Sequence, residues 1–185
     1  WADALKNAQE LIKSVDSSEL AGVLSASFSN EENLAFYHFF KEVLGIESIV
    51  WAGKSEDKAF ADEILRDSDR DPNKLGVQML ADKRISADTQ AKVFVVLGNL
   101  EDNDLLHLTR QDAKAIWITD TLTPGQTWAE IVLPRSSHAE QDGTFVNRKS
   151  ILQRFQKAFE PRGESAPAWT VAARLAQSFG KVVVA

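Results

Sequence analysis

Residues Glu130 to Ala176 read EIVLPRSSHAEQDGTFVNRKSILQRFQKAFEPRGESAPAWTVAARLA, an order of features that chance seldom supplies. A short apolar strand, Glu130 to Leu133, runs into Pro134. A polar loop follows with Glu140, Asp142 and Gly143, then Thr144, Phe145, Asn147 and Gln153. The pairing of Gly143 with the apolar Phe145 predicts a turn at the glycine that feeds an aromatic anchor into the core, with Asn147 bonding backbone. A turn at Pro161 to Gly163 then precedes Trp169, which opens an apolar helix.

Working outward, Lys92 to Leu97 is an unbroken apolar run stopped by Gly98, the pattern of a strand buried on both faces of a parallel sheet. Ala115 to Thr119, ending at Asp120, repeats it. Leu20 to Ala26 and Ile46 to Trp51 read as two earlier strands. Between strands, Leu5, Ala8, Leu11, Ile12 and Val15 recur at helical spacing, so Asp3 to Val15 presents one apolar face. A second helix is predicted from an Asn30 cap, with Glu31 and Glu32 against the positive helix end and Gly45 as the stop. Its Phe36, Phe39 and Phe40 form a packing stripe, with any excess free to face a neighbouring domain. Asp102 to Arg110 makes a further short helix. Strands alternating with helices at this spacing predict an α/β fold with a mostly parallel sheet flanked by helices. The irregular stretch 61–91, with an acidic turn at Asp67 to Pro72, separates a first β-α lobe at 1–60 from a second α/β lobe at 92–185; the two could equally be one compact domain.

The order of features in Glu130 to Ala176 resembles the molybdopterin oxidoreductase family. Within it, the nearest likeness is the large iron-sulfur protein of the respiratory NADH:quinone dehydrogenase, complex I. Upstream stretches extend the likeness in order: Trp1 to Val15, Asn30 to Gly45, Asp69 to Leu80, and Val93 to Asn99. The resemblance implies a Rossmann-like domain and, in that complex, a scaffold supporting electron transfer without chemistry of its own. It implies contacts with other subunits of a membrane-associated respiratory complex, on the cytoplasmic side of the inner membrane. Iron-sulfur clusters would then belong to another part of the parent protein, and this chain would hold no cofactor. The alternative is a fragment of a formate dehydrogenase or nitrate reductase type enzyme that binds part of a molybdopterin guanine dinucleotide. The chain departs from the cofactor-bearing pattern after Asn147, where Arg148–Lys149–Ser150 lacks the usual glycine. The start at Trp1, without methionine or a basic and apolar leader, reads as a piece of a longer protein.

Composition bounds these expectations. The 185 residues are 44% hydrophobic and 26% charged, ordinary for a globular chain. A formal charge of −6 with scattered Lys and Arg argues against nucleic acid as a partner. No apolar run approaches the ~18 residues of a membrane-spanning helix, so direct insertion is not expected. Cysteine is absent, which removes ordinary iron-sulfur ligation by this chain.

In open α/β sheets ligands sit beyond the carboxyl ends of the strands, where loops diverge and helix amino termini point inward. Gly98, Asn99 and Asp120 fall at such ends, with Asp102, Thr121 and Thr123 near them. In the family, that edge contacts the guanine dinucleotide; the plainer reading is a strand-to-helix turn at Gly98 and Asn99 with Asp102 as cap. Glu140, Gly143, Thr144 and Asn147 form the family's signature loop, and the resemblance makes them a second remnant site. Their plainer reading is structural, because Glu140 and Asp142 lack a histidine-carboxylate spacing for metal. His38, His107 and His138 stand apart, in no ligand motif. Neither a catalytic residue nor a metal site is expected.

Overall fold

The apolar runs become the centre of one sheet. In a computed structural model, which describes residues 1–109 and 112–183, β1 (Leu20–Ser25), β2 (Ser48–Ala52), β3 (Val93–Leu97), β4 (Lys114–Thr119) and β5 (Ile131–Pro134) pair in the order β2-β1-β3-β4-β5. All four pairings are parallel, with Val23 opposite both Val50 and Val96. Because β1 lies directly against β3, the stretches 1–60 and 92–185 contribute to a single sheet. This is the mostly parallel, helix-flanked architecture predicted from the sequence.

Each central strand is buried on both faces, as its unbroken apolar composition requires. On one face Leu24, Val95, Leu97, Ile116 and Ile118 pack under three helices: α1 (Ala2–Lys13), α2 (Asn30–His38) and, well after α3 (Lys74–Gln78) and α4 (Asp102–Thr109), α5 (Ala168–Ser178). On the other, Val23, Phe94, Val96 and Trp117 meet Leu108 of α4 and Ile85. The outer edge of β2 is covered rather than left open: Ile85 N–H donates to the Trp51 carbonyl at 2.8 Å, and Trp51 N–H donates to the Lys83 carbonyl at 2.9 Å.

Several local expectations are corrected. The cap of α2 is Ser29, one residue before Asn30, in a reciprocal box: Glu32 N–H donates to Ser29 Oγ at 3.2 Å, and Ser29 N–H donates to Glu32 at 3.0 Å. The helix continues through a wider turn, Phe39 to Val43, and Gly45, with φ of 65°, follows its end. Phe36, Phe39 and Phe40 are fully buried, the packing stripe expected of them, with Tyr37 and Val43 partly buried beside it. The helix at 102 ends at Thr109 among the described residues; Arg110, its expected last residue, lies outside them. A strand missed in the sequence, β7 (Leu152–Phe155), pairs antiparallel with β6 (Gly143–Val146) as a two-stranded ribbon against α2 and α3. No described helix is long and apolar enough to cross a membrane.

Candidate functional site

Parallel strands leave all their carboxyl ends on one edge, and the order β2-β1-β3-β4-β5 reverses direction between β1 and β3. Sheets of this order take ligands at that reversal, where the loops after the two strands run to opposite sides. A cleft of about 450 Å³ lies there, bordered by Ser27 and Phe28 after β1, Gly53 and Lys54 after β2, Gly98 to Glu101 after β3, Asp120 after β4, and Arg135 and His138 after β5.

The floor is fixed by Gly98. Its φ of 73° is left-handed, and a Cβ there would stand 2.7 Å from Ser25 Oγ and 2.9 Å from the Phe28 ring. Both constraints demand glycine. Its carbonyl accepts from the Trp117 indole, and its N–H donates to Ile118 at 2.8 Å, so the turn is anchored to β4. Asn99 is held by a 2.8 Å bond to its side-chain oxygen from Gln126. The β1–α2 loop is tied down by buried Asn33, whose amide accepts from Ser25 N at 3.0 Å and donates to Ser25 O at 2.9 Å.

Charge is distributed unevenly around the rim. Arg70 is already engaged, donating to Ser55 O and to Glu101 at 3.0 Å each. Burial acts to raise the Glu101 carboxyl, but two hydrogen bonds from Ser55 and the charges of Arg70 and Arg84 outweigh it and hold the carboxyl below its usual range. Lys54, an exposed residue of the cleft lining, donates its backbone N–H to Asp71 at 2.8 Å. Asp71 is pushed up to about 6, chiefly by burial; the Lys54 N–H bond opposes the shift and the nearby Asp69 charge reinforces it. Asp120 is exposed to the cleft, with one oxygen 3.4 Å from the buried Arg135.

The signature loop lies apart from this cleft, and its polar groups are consumed within the fold. Glu140 accepts from Ser137 N at 2.8 Å and Arg162 N at 3.0 Å, bonds that hold its carboxyl below the usual range, the Ser137 bond most strongly. Thr144 gives both its N–H and its hydroxyl to Glu31, at 2.9 and 2.7 Å. Asn147 accepts from Lys149 N at 3.0 Å and Ile151 N at 3.1 Å, and so builds the ribbon's turn. Gly143 is corrected most: its φ is not positive, and it sits in a strand, not a turn. A Cβ there would stand 2.6 Å from the Phe155 ring and 3.0 Å from Ser29 Cβ, so glycine is required by close packing. Phe145 does not enter the main core but stacks on Phe155, with centroids 4.6 Å apart. Gly143 and Thr144 also border a second hollow of about 400 Å³ with Glu31, Asp142, Arg154 and Trp169.

Of the seven residues singled out in the sequence, then, Gly98, Asn99 and Asp120 are gathered at the cleft, and Glu140, Gly143, Thr144 and Asn147 are not. Lys54, Arg135 and His138 were missed. Lys54 and Arg135 follow the ends of β2 and β5, but only the strand order brings those ends to the cleft.

The model of the molybdopterin oxidoreductase family matches residues 2–178, and the chain belongs to that family. A protein named "Putative formate dehydrogenase" from Staphylococcus haemolyticus is 44% identical over 59 residues, which are 32% of this chain and 6% of that protein. One of the same name from Staphylococcus aureus strain USA300 is 42% identical over 59 residues, with the same coverage. The match thus spans a small part of these relatives.

The family implies a molybdopterin cofactor, and the cleft residues fit one end of it. Lys54 brings a cation and Asp120 a carboxylate acceptor to the cleft lining. Among the described residues no three His, Asp or Glu side chains converge to hold a metal.

Proposed function

We propose that this chain is the nucleotide-holding domain of a formate dehydrogenase-like molybdopterin oxidoreductase, and that its cleft receives the guanine dinucleotide end of the cofactor. The observation that carries the reading is that Lys54, after β2, and Asp120, after β4, both line the one cleft at the β1–β3 reversal, so that it holds a cation and an acceptor. Family membership and the names of the relatives support it. They weigh toward this alternative and away from the respiratory scaffold expected from the likeness to complex I. Bound, the cofactor supplies the two-electron redox chemistry; the chain binds and orients it.

An ionised carboxylate only accepts hydrogen bonds. Guanine presents two adjacent N–H donors on one edge, whereas adenine pairs a donor with an acceptor that would face Asp120 unfavourably. Lys54 would draw in the pyrophosphate as a point charge. Titration calorimetry with GDP and ADP tests this, together with analysis of nucleotides released on denaturing protein from a cofactor-competent host. GDP should bind in preference to ADP, and Asp120→Asn should lower the preference by about tenfold. Absence of GDP binding and of any released guanine nucleotide would reject the reading.

A further inference from the structure

Asp120 projects from a loop, yet the group behind it is among the most firmly held in the molecule. The Arg135 side chain is 4% exposed and its counter-ion Glu32 is 0% exposed. The guanidinium carbon lies 3.8 Å from the centroid of the Phe28 ring, a stacked cation–aromatic contact. Arg135 Nε stands 3.2 Å from Glu32 Oε1, close enough for charge attraction, although poorly aligned for a hydrogen bond. Nη1 then reaches 3.4 Å to Asp120 Oδ2 at the cleft wall. Glu32 cannot drift, since it also accepts from Ser29 N at 3.0 Å and Ala168 N at 3.3 Å, joining the amino ends of α2 and α5.

A buried arginine is costly unless it is paired, and the fully buried Glu32 already supplies one neutralising charge from within the fold. The second contact, to Asp120, runs outward to the cleft. A planar guanidinium fixed by a ring on one side and a buried carboxylate at Nε has little rotational freedom left, so its Nη1 is a rigid donor. A carboxylate attracted to a rigid donor on one oxygen has its remaining lone pairs aimed in a defined direction.

We infer that Arg135 is a positioning residue: by holding Asp120 it aims that carboxylate at a purine edge, and so sets how strongly the cleft prefers guanine over adenine nucleotides. The inference rests on the nucleotide-binding reading above. Without Arg135, Asp120 still carries charge but turns freely, keeping one hydrogen bond where it had made two. Phosphate contacts at Lys54 are untouched.

The test is calorimetric titration of GDP and ADP into the wild-type chain, Arg135→Lys, and the charge-neutral pair Arg135→Met/Glu32→Gln, whose glutamine retains an acceptor for Ser29 and Ala168. In the wild type, GDP should bind about tenfold or more tighter than ADP. In the neutral pair, GDP affinity should fall to near that of ADP while ADP affinity holds; Arg135→Lys, which keeps the charge but not the planar fork, should fall between. In an Asp120→Asn background, changes at 135 should leave the ratio unaltered, an outcome that a merely structural role would not give. A fall of GDP and ADP together would overturn the inference in favour of a direct phosphate contact, and an unchanged ratio would overturn it outright. Should the neutral pair not fold, an unchanged ratio in Arg135→Lys does the same. Failure of the wild type to bind either nucleotide would strike the nucleotide-binding reading itself; discrimination that survives in the variants would strike only Arg135.

Discussion

The cleft beyond the strands and the loop from Glu140 to Asn147 are both rich in acids, amides and glycine, yet they are spent differently. In the loop, Glu140, Thr144 and Asn147 bond almost wholly to backbone or to Glu31, and the glycine makes room for Phe155. At the cleft, the lining residues Asp120 and Lys54 are exposed, and beside it Asp71, half-buried and bonded to the Lys54 backbone, keeps one oxygen without a hydrogen bond. Polar groups that satisfy one another build structure. Polar groups left waiting at a reversal of strand order build a site, because leaving them so lowers stability.

The sharpest way to break this contrast is Gly143→Val. Its new Cβ would fall 2.6 Å from the Phe155 ring and 3.0 Å from Ser29 Cβ, and the extra methyls would displace the ribbon from the cap of α2. Overpacking of this kind should cost about 3 kcal/mol. Thermal or urea unfolding should register the whole loss, and the GDP to ADP affinity ratio of the folded protein should not move. Retained stability with lost nucleotide binding would transfer the signature loop from structure to site.

Asp71→Asn tests the other half, the cost of the carboxyl that holds the Lys54 backbone beside the cleft. The Asp71 carboxyl is raised from 3.8 to about 6, so its contribution to stability is complete below pH 3.8 and is lost as pH rises through 6. At pH 7 the ionised Asp71 therefore weakens the fold. Asparagine can still accept from Lys54 N, and the substitution should stabilise the protein by ~2 kcal/mol at pH 7 while changing little near pH 4. Equal gains at both pH values would mean that burial of charge is not the cause.

How legible these regions were follows from what each depends on. The runs VFVVL and AIWIT announced β3 and β4, because burial on both faces leaves no polar position in a strand. Leu152–Phe155 gave no such signal: three of its four residues are exposed, and its pairing with β6 comes from the turn at Asn147. Gly98, Asn99 and Asp120 could be found from strand ends alone. Arg135 and Lys54 could not be joined to them, since the neighbours of each strand are fixed by the order β2-β1-β3-β4-β5, a tertiary fact. The cap of α2 was missed by one residue because Ser29, Asn30 and Glu32 all suit a helix start, and only the reciprocal bond to Glu32 selects Ser29.

Lys54 gives the smallest effect and the finest test of the contrast, because Arg70 on the same rim is its control. Arg70 donates to Ser55 O and Glu101, so it ties two loops together and resembles the residues of the signature loop. Lys54 is an exposed residue of the cleft lining, and its hydrogen bond to Asp71 comes from the backbone N–H, a bond that any residue but proline preserves. Lys54→Met should leave stability within about 0.5 kcal/mol, as is usual at surface positions free of such features. It should weaken GDP and ADP alike, by roughly threefold at low salt, with the difference fading as salt screens the charge. Arg70→Met should lower stability by about 1 kcal/mol, through the carbonyl and carboxylate it leaves unpaired. A reversal of these two results, with stability lost at Lys54 and nucleotide binding lost at Arg70, would mean that free and engaged cations on this rim do not divide into site and scaffold.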